Sequence, residues 1–155
     1  MRYSYIIIPL LAIIILLIGR VLTTSCDAMT WYHSLKLPAL TPPNWGFALA
    51  WNIIFLCASI ALIIVWNGFV RNMQFWAMIT LFVANAILNM FWIYLFFTKH
   101  LIGAALIDAI LLALVTITIM TLIASRSIVI SMLLLPYSLW ALFAIYLNYV
   151  IWLTN

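Results

Sequence analysis

Residues 31–51 read WYHSLKLPALTPPNWGFALAW. Here prolines, polar groups and aromatics mix, while most of the flanking sequence is apolar. The Pro42-Pro43 pair cannot sit inside a helix, because proline lacks a backbone donor and its ring clashes with the preceding turn. The stretch is therefore a shaped connector that ends where a helix starts, with Asn44 as the expected N-cap. Trp31, Tyr32 and Trp45 suit a membrane–water interface.

The flanks set the environment. Of 155 residues, 70% are hydrophobic and 5% charged, against roughly 25% charged in soluble domains. Mean hydropathy is +1.35. No soluble fold covers so much apolar surface, so the chain reads as an integral membrane protein. Backbone groups in lipid must be satisfied internally, which leaves helices or a closed barrel. The apolar runs are long and unbroken, not short and alternating, so helices are predicted. The reading is all-α, a single domain over residues 1–155 with five transmembrane helices. The spans are 5–24, 44–66, 72–97, 101–124 and 128–152, with a long loop over 26–43. Pro9 falls in the first turns of its helix, where it is tolerated; Pro136 predicts a kink in the fifth. Arg2 before the first run resembles a signal-peptide start. The length of the run and the poor cleavage site at Thr24-Ser25-Cys26 favour a retained span.

The net charge of +4 comes from scattered bases. No basic stripe exists, so no nucleic-acid partner is expected. Arg2, Arg71 and Arg126 fall on one side of the membrane and Arg20, Lys36 and Lys99 on the other, an even split that gives no orientation. Cys26 and Cys57 form no spacing motif, and Cys57 reads as an inert buried thiol. No internal repeat is visible, and the odd span count argues against an inverted-repeat transporter. Nucleophile elbow, P-loop, dinucleotide fingerprint and metal-ligand spacing are all missing, so a soluble-type enzyme is excluded and neither cofactor nor metal is expected.

Three spans carry faces that combine aromatics with polar groups. In the third, Phe82, Asn85, Asn89, Trp92 and Phe96 recur at spacings of three and four. In the fifth, Tyr137, Trp140, Ala144, Asn148 and Ile151 share an arc; in the second, Trp51, Phe55 and Ser59 do. Two readings stand side by side. The amides are interhelical glue worth roughly 0.6 kcal/mol each, or the faces enclose an aromatic cavity with a few polar points, as a flat hydrophobic ligand requires. Trp66, Trp76 and Trp152 near helix ends read as interface anchors. Asp108 is the only carboxylate inside a span. It reads as a structural polar group bonding a neighbouring helix or loop, with a proton or cation site as the alternative. His33 has no metal partner at a useful spacing and reads as surface polar.

These features together resemble the TspO/translocator protein family, also known as tryptophan-rich sensory proteins or peripheral benzodiazepine receptors. The resemblance covers nearly the whole chain. It rests on Trp31-Tyr32, Leu35, Pro38, Thr41-Pro42-Pro43, Trp45 and Trp51; on Leu88-Asn89, Trp92, Phe96-Phe97 and Asp108; and on Pro136-Tyr137, Trp140, Phe143-Ala144 and Leu147-Asn148. It implies a five-helix bundle, commonly dimeric, that binds porphyrins such as protoporphyrin IX, with haem or benzodiazepine-like drugs as further ligands. Carried over by position, Trp51, Asn89, Trp92, Trp140, Ala144 and Asn148 would line the cavity. Trp31, Tyr32 and Pro43 would belong to its lid. The resemblance also implies light-dependent porphyrin breakdown, with Trp51 and Trp140 as the catalytic residues, as one alternative, and porphyrin or lipid transport as another. It places the chain in a bacterial cell membrane, or in the mitochondrial outer membrane of a eukaryote.

The sequence departs from the family pattern in places. The usual Lys-Pro-Ser-Trp before the proline pair is replaced by Leu37-Pro38-Ala39-Leu40, with Lys36 ahead of it. Tyr149 is followed by no base, so the sterol pattern of the last helix is incomplete.

Overall fold

A computed structural model describes residues 3–155. Its helices are α1 (Ser4–Thr23), α2 (Cys26–Ser34), α3 (Asn44–Gly68), α4 (Met73–Ile93), α5 (Ile102–Ala124), α6 (Ile128–Met132) and α7 (Leu135–Thr154). A π-helical stretch, Tyr94–Thr98, prolongs α4. Five elements are long and apolar enough to cross a membrane: α1, α3, α4 with its π stretch, α5, and α6 with α7. The expected all-α membrane fold is therefore present.

Several boundaries differ from expectation, each for a local reason. The loop expected over 26–43 contains α2. Ser25 caps it by accepting the Ala28 N–H at 3.4 Å, and Asp27 sits in its first turn, where the helix dipole favours an acid. Asn44 is not the cap of α3. Pro43 takes that position in an extended conformation, and its carbonyl accepts the N–H groups of Gly46 and Phe47. Helix α3 continues to Gly68, two residues past the expected end. At Pro136 the chain breaks instead of kinking. Proline has no N–H to offer the Met132 carbonyl, so α6 ends at Met132 and α7 restarts with Pro136 in its first turn. Cys57 is half-buried, not buried, and Cys26 is exposed; both are free thiols. Arg2 lies outside the described residues.

Helix α5 packs along both α4 and α7, the most extensive helix pairs of the bundle. Helix α1 is the least buried span and lies against α3 and α4. Its approach to α4 is close at Gly19, where a Cβ would come within 3.1 Å of Ile93 Cδ1. At the end remote from the connector, Val65, Phe75, Met78, Ile119, Ile123 and Leu134 form a dense core. There Arg126 donates through Nε and Nη2 to Gln74 Oε1 at 3.1 and 2.7 Å, and Arg71 lies over the Trp66 ring. Arg71 and Arg126 thus share one end, while Arg20, Lys36 and Lys99 lie at the other, as expected.

The connector is tied across the opposite end. Trp31 stacks on His100 with ring centroids 4.1 Å apart and planes 9° from parallel, and meets Phe96 edge-on. His100 holds a left-handed backbone, φ 57°, which a non-glycine residue adopts only at some cost. The Lys36 N–H donates to Asn155 Oδ1 at 2.9 Å, and Asn155 Nδ2 donates back to the Lys36 carbonyl at 3.3 Å.

Candidate functional site

Between the dense core and the connector lies a cavity of about 550 Å³, within the roughly 300–1,000 Å³ range of small-molecule sites. Helix α3 lines it from Asn44 to Phe55, a depth of about 16 Å at 1.5 Å per residue. Helix α7 presents Tyr137, Trp140, Ala141, Ala144, Asn148 and Ile151, the three-and-four spacing of one helical face. Asn89 and Trp92 contribute from α4, Phe96 from its π-helical extension, Ala109 and Leu112 from α5, and Met29 and Tyr32 from α2.

The walls are aromatic and held at fixed angles. Trp51 meets Trp140 edge-on, with centroids 6.5 Å apart at 77°, and meets Tyr137 at 6.2 Å and 75°. Phe47 packs edge-on against Trp140, and Trp92 stacks on Phe96 at 5.2 Å. Such pairs favour definite ring orientations. The Trp92 indole is fixed further: its Nε1–H donates to Asn148 Oδ1 at 3.1 Å, while Asn148 Nδ2 donates to the Ile102 carbonyl at 2.9 Å. Among the described residues, neither the Trp51 nor the Trp140 indole N–H has a hydrogen-bond partner.

A polar relay closes the deep end. Asn89 Nδ2 donates to the Tyr137 hydroxyl at 3.3 Å, and that hydroxyl donates to Asn85 Oδ1 at 2.7 Å. Asn85 Nδ2 donates to Thr116 Oγ1 at 2.8 Å, which donates to the Leu112 carbonyl at 2.7 Å. The two readings of the amides therefore divide by residue. Asn85 lies behind the wall and only joins helices. Asn89 and Asn148 join helices and also line the cavity.

Of the residues named from the sequence, Tyr32, Trp51, Asn89, Trp92, Trp140, Ala144 and Asn148 come together around this space. Trp31 and Pro43 do not reach it: Trp31 is held by His100 and Phe96, and Pro43 is exposed. At the connector end, burial pushes the Tyr32 phenol above its ordinary range. The wall formed by α1, including Ile15, Gly19, Arg20 and Thr23, has no counterpart among the faces legible in the sequence. Helix α1 is so evenly apolar that no face stands out in its sequence.

Asp108 is 4% exposed and is absent from the cavity lining. The helix-to-helix hydrogen bond expected of it is not made, and Oδ2 is buried without a partner among the described residues. A buried carboxylate without donors gains nothing from its charge. Asp108→Asn is accordingly expected to leave the thermal unfolding midpoint in detergent unchanged or raised. A drop of several degrees would show that the carboxylate has a role in the bundle.

The profile of the TspO/MBR family matches residues 6–153. The chain belongs to the TspO/MBR family. Within it, the chain is 38% identical over 133 residues to the Tryptophan-rich protein TspO of Archaeoglobus fulgidus, covering 85% of this chain and 84% of that protein. It is 32% identical to the Tryptophan-rich protein TspO of Bacillus cereus, covering 81% of each. It is 30% identical to the Translocator protein of Sus scrofa, covering 81% of this chain and 75% of that protein. TspO/MBR membership accounts for the whole bundle at once, since the matched residues run from α1 to the end of α7.

Proposed function

We propose that this TspO/MBR member is a membrane receptor that binds porphyrins, and similar flat hydrophobic ligands, in the cavity between α1, α3, α4 and α7. The observation that carries the reading is the wall of Trp51, Trp92 and Trp140 around about 550 Å³. The indoles are oriented by edge contacts, and two of them keep unengaged N–H donors. Flat rings match such a wall because apolar faces bury area while a few polar points set orientation. Benzodiazepine-like drugs suit the same chemistry. The test is titration of the protein's tryptophan fluorescence with protoporphyrin IX in detergent. Saturable quenching at one porphyrin per chain is the expected result; quenching that grows only with porphyrin partition into micelles counts against it.

One observation favours a second reading, light-dependent breakdown of the bound porphyrin. Trp51, Trp140 and Tyr137 form a contiguous set of oxidisable rings along one wall. Illumination with porphyrin in excess over protein separates the two. Catalysis requires several porphyrins lost per chain beyond free-porphyrin bleaching, whereas a receptor leaves the excess untouched. Transport coupled through Asp108 draws no comparable support, since that carboxylate does not face the cavity.

A further inference from the structure

We propose that Arg20 and Thr41 form an anion-binding end of the cavity, and that the ligand taken there carries a carboxylate. The inference rests on the porphyrin-class reading and adds a chemical requirement and an orientation to it. Among the described residues that line the cavity, Arg20 alone is charged. Its guanidinium makes no hydrogen bond or ion pair with them, although a guanidinium offers five donors. The chain supplies no acid to pair with it. It has two carboxylates: Asp108 lies outside the cavity lining, and Asp27 sits in the first turn of α2 without contributing to that lining. Arg20 is exposed, so an incoming anion reaches its guanidinium without displacing a protein partner.

Thr41 is the independent observation. Its Oγ1 is buried with no hydrogen-bond partner, and the residue lines the same cavity. A buried hydroxyl left unpaired is costly, and native structures rarely keep one without a use. The topology brings the two residues to one end. Arg20 is in the last turn of α1, Thr41 lies just before α3, and these helices pack together in opposite directions. The amino end of α3, at Asn44, lies in the same region, but the carboxyl end of α1 beside it offsets that dipole, so Arg20 supplies the positive charge there. A lipid-facing arginine that only reaches for headgroups would explain Arg20 but not the stranded Thr41 hydroxyl. A porphyrin with propionate groups satisfies both while its ring lies against the indoles.

The experiment compares protoporphyrin IX with its dimethyl ester, which keeps the ring and removes the charge, by fluorescence quenching of the full chain in uncharged detergent. Wild-type protein is expected to bind the acid about tenfold more tightly than the ester. Arg20→Gln should weaken the acid about tenfold and leave the ester unchanged. Arg20→Lys should keep part of the preference, and Thr41→Val should weaken the acid about threefold. Equal affinity for acid and ester in the wild-type protein overturns the inference alone and leaves the porphyrin reading standing. A parallel loss of both ligands in Arg20→Gln also overturns it, because the residue then serves packing. If neither porphyrin quenches saturably in wild-type protein, the receptor reading falls and this inference with it.

Discussion

Replacing Trp51 and Trp140 together by phenylalanine is expected to weaken protoporphyrin IX binding tenfold or more. Phenyl rings preserve the edge-to-face packing with Tyr137 and Phe47, so the bundle should keep its unfolding midpoint. What is lost is indole area facing the cavity and the two unengaged N–H donors. A hydrogen bond from each indole N–H is worth about 0.5–1.5 kcal/mol, and two such losses, with the area lost beside them, correspond to about one to two orders of magnitude in affinity. Because two of the three cavity indoles are removed, the readout is the change in porphyrin absorbance on titration. An unchanged dissociation constant would move the site elsewhere on the protein.

The second large effect concerns stability. Tyr137→Phe removes a hydroxyl that accepts from Asn89 and donates to Asn85. The two partners do not suffer equally. Asn89 lines the cavity and can turn its amide toward whatever fills it. Asn85 is 7% exposed, lies behind the wall, and is left with a buried acceptor and no donor. An orphaned buried acceptor costs about 1–3 kcal/mol, whereas the average membrane hydrogen bond contributes only about 0.6 kcal/mol. The orphan should dominate, giving a loss of about 1–2 kcal/mol in thermal unfolding. The account makes a sharper demand of the pair. Asn85→Leu added to Tyr137→Phe should recover part of that loss, because Thr116 already donates to the Leu112 carbonyl and needs no replacement partner. Purely additive losses would refute the relay as described.

The spans and three of the cavity walls are legible in the sequence because each has a strong local cause. An uninterrupted apolar run long enough for the bilayer leaves the backbone no option but a helix. Amides and indoles repeated at three and four mark one face of α4 and one of α7. Helix α2 carries its signal in Ser25 and Asp27, a short capping pattern that is weaker than the Pro42-Pro43 signal of the same connector. The π stretch after Ile93 and the break before Leu135 are less legible. Proline fixes where helical bonding fails but not whether the chain bends or restarts; here the buried Leu134 anchors the restart. The contribution of α1 cannot be read at all, because its residues are nearly all apolar and only packing selects which of them face inward. Arg20, read from sequence as one of six scattered bases, acquires meaning only when the cavity places it among uncharged neighbours.

A structure of the protein with protoporphyrin IX bound tests the central claim most directly. The account predicts the macrocycle between the indoles of Trp51, Trp92 and Trp140, with its carboxylates directed toward Arg20 and Thr41. A porphyrin seated on the lipid-facing side of the helices, for example against Leu111 and Leu114 of α5, with nothing between the indoles, would contradict it.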